Sequence, residues 1–74
     1  MEFDFSKLQG RIVEKYGTRG AFAADLGFTE SALSNRLNNK VPFDPEEIYR
    51  ICLPEHLDIV PKEIHLYFFK PKVR

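Results

Sequence analysis

Glu30, Ser31, Ser34, Asn35 and Asn38 are short polar side chains whose spacing gathers them on one face if residues 29–38 are helical. Leu33 and Leu37, one turn apart, would hold the opposite face against a core. Hydroxyls and carboxamides both donate and accept hydrogen bonds, which suits them to base edges in a major groove. Between residues 31 and 43 the charged residues are Arg36 and Lys40, with no acid among them. Glu30 runs against this pattern, since an acid repels phosphate. Complementing the positive end of its own helix is its simplest role, with acceptance from a cytosine amino group as the alternative.

Other chemistry has less to build on. Cys52 and His56 stand one helical turn apart, and His65 is the remaining histidine. A structural zinc site takes four ligands, and neither a Cys-x-x-Cys nor a second histidine pair is present. No metal or cofactor is expected, and Cys52 reads as a small core residue. There is no glycine-rich phosphate loop and no nucleophile-elbow sequence, so an enzyme with a small-molecule substrate is not expected.

The elements that must carry the polar face are marked by helix punctuation. Ser6 with Gln9 has the spacing of a capping box, and Leu8, Ile12 and Val13 predict one buried face for a first helix over Ser6–Tyr16, ended by Gly17. Thr18 predicts the cap of a second helix, with Phe22, Ala23 and Leu26 inward and Gly27 as its stop. Thr29 predicts the cap of a third, with Phe28 and Leu33 as a hydrophobic staple, ending near Asn38-Asn39-Lys40. Asp44, Pro45 and Glu47 predict the start of a fourth, with Ile48, Ile51 and Cys52 as its buried stripe and Pro54 against its continuation. Pro61-Lys62-Glu63 predicts entry to a fifth helix reaching about Phe69. The aromatic-rich stretch 64–69 also reads as a strand, and the proline entry favours helix. Helices 2 and 3 are short and joined by Gly27-Phe28, so they cross steeply, either as a plain corner or as a helix-turn-helix.

Residues 19–38, RGAFAADLGFTESALSNRLN, resemble the helix-turn-helix of phage Cro and CI-type repressors, with Ala23, Leu26, Gly27, Leu33 and Leu37 at that family's spacing. The opening FDFSKLQGRI, the NNK after helix 3 and the closing YFF are similar to short Cro-like phage proteins. This resemblance implies an all-α, five-helix domain like that of the lambda repressor, with helix 2 across the DNA backbone and helix 3 in the major groove. It implies base contacts from Thr29, Glu30, Ser31, Ser34 and Asn35. Phosphate contacts would come from Arg19, Arg36, Asn38, Asn39 and Lys40. Arg19 departs from the glutamine usual at its position. The implied function is a sequence-specific repressor of operator DNA acting as a homodimer, with Tyr67, Phe68 and Phe69 as core or dimer surface. The rival reading is a protein-binding module on the same scaffold, such as an antirepressor.

The chain of 74 residues has room for one domain, and 43% hydrophobic with 30% charged residues is a globular composition. Formal net charge is zero, which favours the rival. Its distribution is uneven: the acids Asp44, Glu46, Glu47, Glu55, Asp58 and Glu63 face only Arg50 and Lys62 in their stretch, while Lys70, Lys72 and Arg74 end the chain. That basic tail reads equally as an arm on DNA backbone or as a solubilising end. One cysteine, no signal-like start and no apolar run near the roughly 18 residues of a membrane span point to a cytoplasmic protein away from membranes.

Overall fold

The computed structural model describes residues 2–73. Among them five α-helices are present: α1 (Ser6–Tyr16), α2 (Arg19–Leu26), α3 (Glu30–Leu37), α4 (Pro45–Cys52) and α5 (Ile64–Phe68). A 3₁₀ turn, Pro61–Glu63, leads into α5, so the helical reading of the C-terminal segment holds over the strand reading. None of these helices is long and apolar enough to cross a membrane.

Local capping sets most boundaries. The Thr18 hydroxyl accepts from Ala21 N at 3.1 Å, and Thr29 from Ala32 N at 3.0 Å, each satisfying a first-turn donor. The capping box of α4 is complete: Asp44 Oδ1 accepts from Glu47 N at 2.8 Å, and Glu47 Oε1 from Asp44 N at 3.0 Å. The first helix spans the expected Ser6–Tyr16, and its cap alone departs from expectation. Ser6 lies inside α1, Phe5 holds the cap position, and Asp4 Oδ1 accepts from Ser6 N at 2.9 Å. Asp4 is drawn upstream by backbone pairing, its N–H donating to Lys70 O at 2.7 Å, and this leaves the helix to begin after Phe5.

Leu8, Ile12, Phe22, Leu26, Leu33, Ile51, Leu57 and Phe68 form the innermost core. α1 packs against α2 and α5 through Leu8 and Ile12. Val13, expected on that face, is 54% exposed, because the i, i+4 line from Leu8 through Ile12 already fills the contact. Phe43 packs edge-on against Phe5 and Phe68, with ring centroids 5.5 and 5.3 Å away, and joins the α3–α4 loop to the core. Arg11 Nε donates to Leu57 O at 2.8 Å and so fixes the turn after α4 to α1.

The chain ends meet. Phe3 and Pro71 form an isolated antiparallel bridge, and Lys72 N donates to Glu2 O at 3.0 Å. The segment around Lys70 and Lys72 is therefore paired backbone, not a loose arm. Arg74 lies outside the described residues.

Candidate interaction face

α2 and α3 are joined through Gly27, Phe28 and Thr29 and pack against each other. Gly27 adopts φ +82° and its N–H reaches Ala23 O and Ala24 O, a left-handed turn that a side chain would strain. Ala23, 1% exposed, lets α3 approach, and Leu33 and Leu37 pin α3 from beneath. The outward side of α3 carries Ser31, exposed, with Ser34 and Asn35 partly covered; Thr29 and Glu30 are exposed at its start. Thr29 is committed to the cap. Glu30 leans toward the first turn of α2: a Cβ added at Gly20 would meet Glu30 Oε1 at 3.3 Å. Arg19, Glu30, Leu33 and Ser34 share one recess, so this acid sits beside a cation and a hydroxyl of the face itself.

The expected phosphate-contact set is largely spoken for. Arg36 points along the fold, its Nε and Nη2 donating to Glu47 Oε1 and Oε2, both at 2.9 Å. Its Nη1 donates to Ala32 O at 3.0 Å, and the guanidinium lies over Phe28, 5.2 Å from the ring centroid. The pair is mostly covered, and hydrogen bonding to Glu47 raises the guanidinium pKa further still. Asn39, at φ +63°, turns its carboxamide to the N-terminal segment: Oδ1 accepts from Phe3 N at 2.9 Å and Nδ2 donates to Phe3 O at 3.0 Å. Asn38 Nδ2 donates to Ser34 Oγ at 3.2 Å. Arg19 and Lys40 remain exposed, on either side of α3 in sequence.

The aromatic end divides. Tyr67 and Phe68 are 8% and 2% exposed, so both are core and neither offers a dimer surface. Phe69 is 48% exposed and rests edge-on against Phe3. Cys52 is buried, and burial pushes its thiol up to about 11. His56 is turned to α1 and α2 instead: its Nδ1 lies 3.0 Å from Tyr16 Oη and 3.1 Å from Asp25 Oδ2, while Tyr16 Oη donates to Asp25 Oδ2 at 2.6 Å. Burial, then the Asp25 contact, raises Tyr16 to about 12, and the tyrosine hydroxyl holds Asp25 below its ordinary range. Sequence reasoning missed Glu47 as the holder of Arg36, and Phe3 as the partner of Asn39. Glu47 carried a signal only as a helix-start residue, and Phe3 offers backbone, which no side-chain pattern reveals.

Comparison with known proteins gives the arrangement a context. A family model described as "Protein of unknown function (DUF739)" matches residues 1–71. The solution structure of the modulator of repression (MOR) of the temperate bacteriophage TP901-1 from Lactococcus lactis aligns with a TM-score of 0.80 and 39% identity, over 100% of this chain and 97% of that one. Among curated proteins no match is found. With the family model spanning residues 1–71, the chain belongs to the DUF739 family, and it shares its fold from end to end with a phage modulator of repression.

Proposed function

We propose that this protein modulates phage repression by binding a protein, a phage repressor, instead of occupying operator DNA. The observation that carries this reading is the internal capture of Arg36 by Glu47, together with the capture of Asn39 by Phe3. Affinity for duplex DNA scales with the phosphates neutralised by cations. With Arg36 withdrawn, Arg19 and Lys40 are the cations left to the face, and Glu30 stands between them in sequence. A zero net charge supplies no background attraction to a polyanion. The relative named as a modulator of repression supports the same role for this chain. The role is one of binding, without catalysis, metal or cofactor.

The second reading, operator binding by α3 as a homodimer, draws on one feature: the outward hydroxyls and carboxamide of Ser31, Ser34 and Asn35. Fluorescence anisotropy separates the two. Labelled mixed-sequence duplex at low and moderate salt is expected to give little binding, and labelled repressor a saturable rise that salt weakens only mildly. Tight duplex binding with a steep loss in salt establishes operator binding instead. In that event Asn35→Ala should cost about 1–3 kcal/mol on the cognate site and spare non-specific binding. Lys40→Ala should then weaken all sequences alike.

A further inference from the structure

A second surface, sharing no residue with the α3 face, is concave and apolar. Tyr49, Leu53, Pro54, Ile59, Val60 and Ile64 line it, between α4, the turn that follows and the entry to α5. Its volume is about 280 Å³, with Cys52 and Ile59 at its buried floor. Tyr49 is 67% exposed and Val60 45%, so bulky apolar groups stand in water at the rim. The floor is rigid: Ile59 N donates to Cys52 O at 3.1 Å and Leu57 N to Ile51 O at 2.9 Å, clasping the turn to the end of α4. Isolated exposed apolar residues are ordinary, whereas a shaped apolar recess with exposed walls marks a binding surface.

The charges around it are mostly acidic, with Lys62 beside the lining Pro61 as the exception. Asp58 lines the recess, Glu46 lies one turn before Tyr49 on α4, and Glu55 and Glu63 adjoin Pro54 and Ile64. Lys62 is the cation of this stretch that faces none of the fold's fixed acceptors. Arg50 is turned to α2, its Nη2 donating to Leu26 O at 2.5 Å. Arg11, near the backbone of Asp58, is bound to Glu14 at 2.6 Å. Glu47, the other acid of α4, is neutralised by Arg36 away from the recess.

We infer that this acid-ringed recess receives an apolar side chain from a basic segment of a protein partner. The inference rests on the protein-binding reading above and assigns it a surface other than α3. An apolar anchor supplies affinity by leaving water, and lysines or arginines beside it meet Glu46, Glu55, Asp58 and Glu63, which fixes orientation and rejects acidic competitors. A second copy of this chain fits less well, because its basic end is held by backbone pairing of Lys70 and Lys72 to Asp4 and Glu2.

The test is a nitrogen-15 NMR titration with a short amphipathic leucine–lysine peptide and with its leucine–glutamate counterpart. Shifts are expected at Tyr49, Leu53, Val60 and Ile64 with the lysine peptide, and affinity about tenfold or more weaker for the glutamate peptide. Tyr49→Ala with Val60→Ser, both at exposed positions, should weaken the lysine peptide by a similar factor while leaving the spectrum folded. Shifts centred on Ser31, Ser34 and Asn35, or equal affinity for both peptides, overturn the inference. Concentration-dependent shifts in the recess without peptide overturn it in favour of a second copy. The two levels separate: repressor binding that survives the double variant but is lost in Asn35→Ala removes the recess and keeps the proposed function. A recess that takes the lysine peptide beside a repressor that never binds removes the proposed function alone.

Discussion

Arg36 and Asn39 decide what the α3 face can do, and both are held by partners outside α3, Glu47 and Phe3. Asn39 replaces a missing strand: its carboxamide answers both the N–H and the C=O of Phe3 while its own backbone turns left-handed. Removing it leaves those groups partly covered and unpaired and adds strain at a positive φ. Asn39→Ala should therefore lower unfolding free energy by about 1–3 kcal/mol in urea titration. Lys40→Ala, at an exposed neighbour, should stay within about 0.5 kcal/mol. The Tyr16–Asp25–His56 cluster gives a pH signature. Asp25 is held below 3.8 chiefly by the Tyr16 hydroxyl, so its contribution is complete above the ordinary carboxylate range and drains as pH falls through the lower folded value. Asp25→Asn should thus be less stable than the parent at neutral pH, and the gap in melting temperature should close as pH falls below the ordinary carboxylate range. A gap that stays constant down the acid limb would show that the carboxylate's charge contributes nothing. At the alkaline end, Tyr16 is raised to about 12, so its contribution is present below its ordinary value of 10.0 and fades as pH climbs toward the folded one.

At the level of helices, capping separates what the residues spell out from what the fold imposes. Thr18, Thr29 and the Asp44-Pro45-Glu47 run act within four residues of themselves, so α2, α3 and the start of α4 were readable from local chemistry alone. The bounds of α1, Ser6–Tyr16, were readable too, but its cap was not. Asp4 and Ser6 are both capping types, and the choice between them falls to pairing with Lys70 at the other end of the chain. Val13 was misplaced because an apolar residue adjacent to a filled stripe has no signal of its own. Arg36 and Asn39 were legible as polar residues after α3, while their engagement depends on Glu47 and Phe3, which only the folded chain brings near. Tyr67 and Phe68 were open between core and surface, since aromatics serve both, and packing against α1 settled them as core. The capping difference is measurable. Asp44→Ala should cost about 0.5–2 kcal/mol in chemical denaturation, and Ser6→Ala should fall within about 0.5 kcal/mol. Equal losses would restore Ser6 as the cap of α1.

Across the whole molecule, zero net charge conceals two unlike regions: a polar α3 face with Arg19 and Lys40, and an acidic stretch from Asp44 to Glu63 around an apolar recess. The fold is shared with a phage modulator of repression, and a fold alone assigns no partner. What distinguishes a groove reader from a protein binder on such a scaffold is how many cations remain free to meet phosphate, and here Arg36 is closed against Glu47. Isothermal titration of a phage repressor into this protein, with no DNA in the cell, tests that distinction most directly. A saturable heat with the repressor, and none when duplex is injected into the protein alone, is the expected result. Silence with the repressor, beside a strong heat with duplex that collapses as salt is raised, would contradict the account.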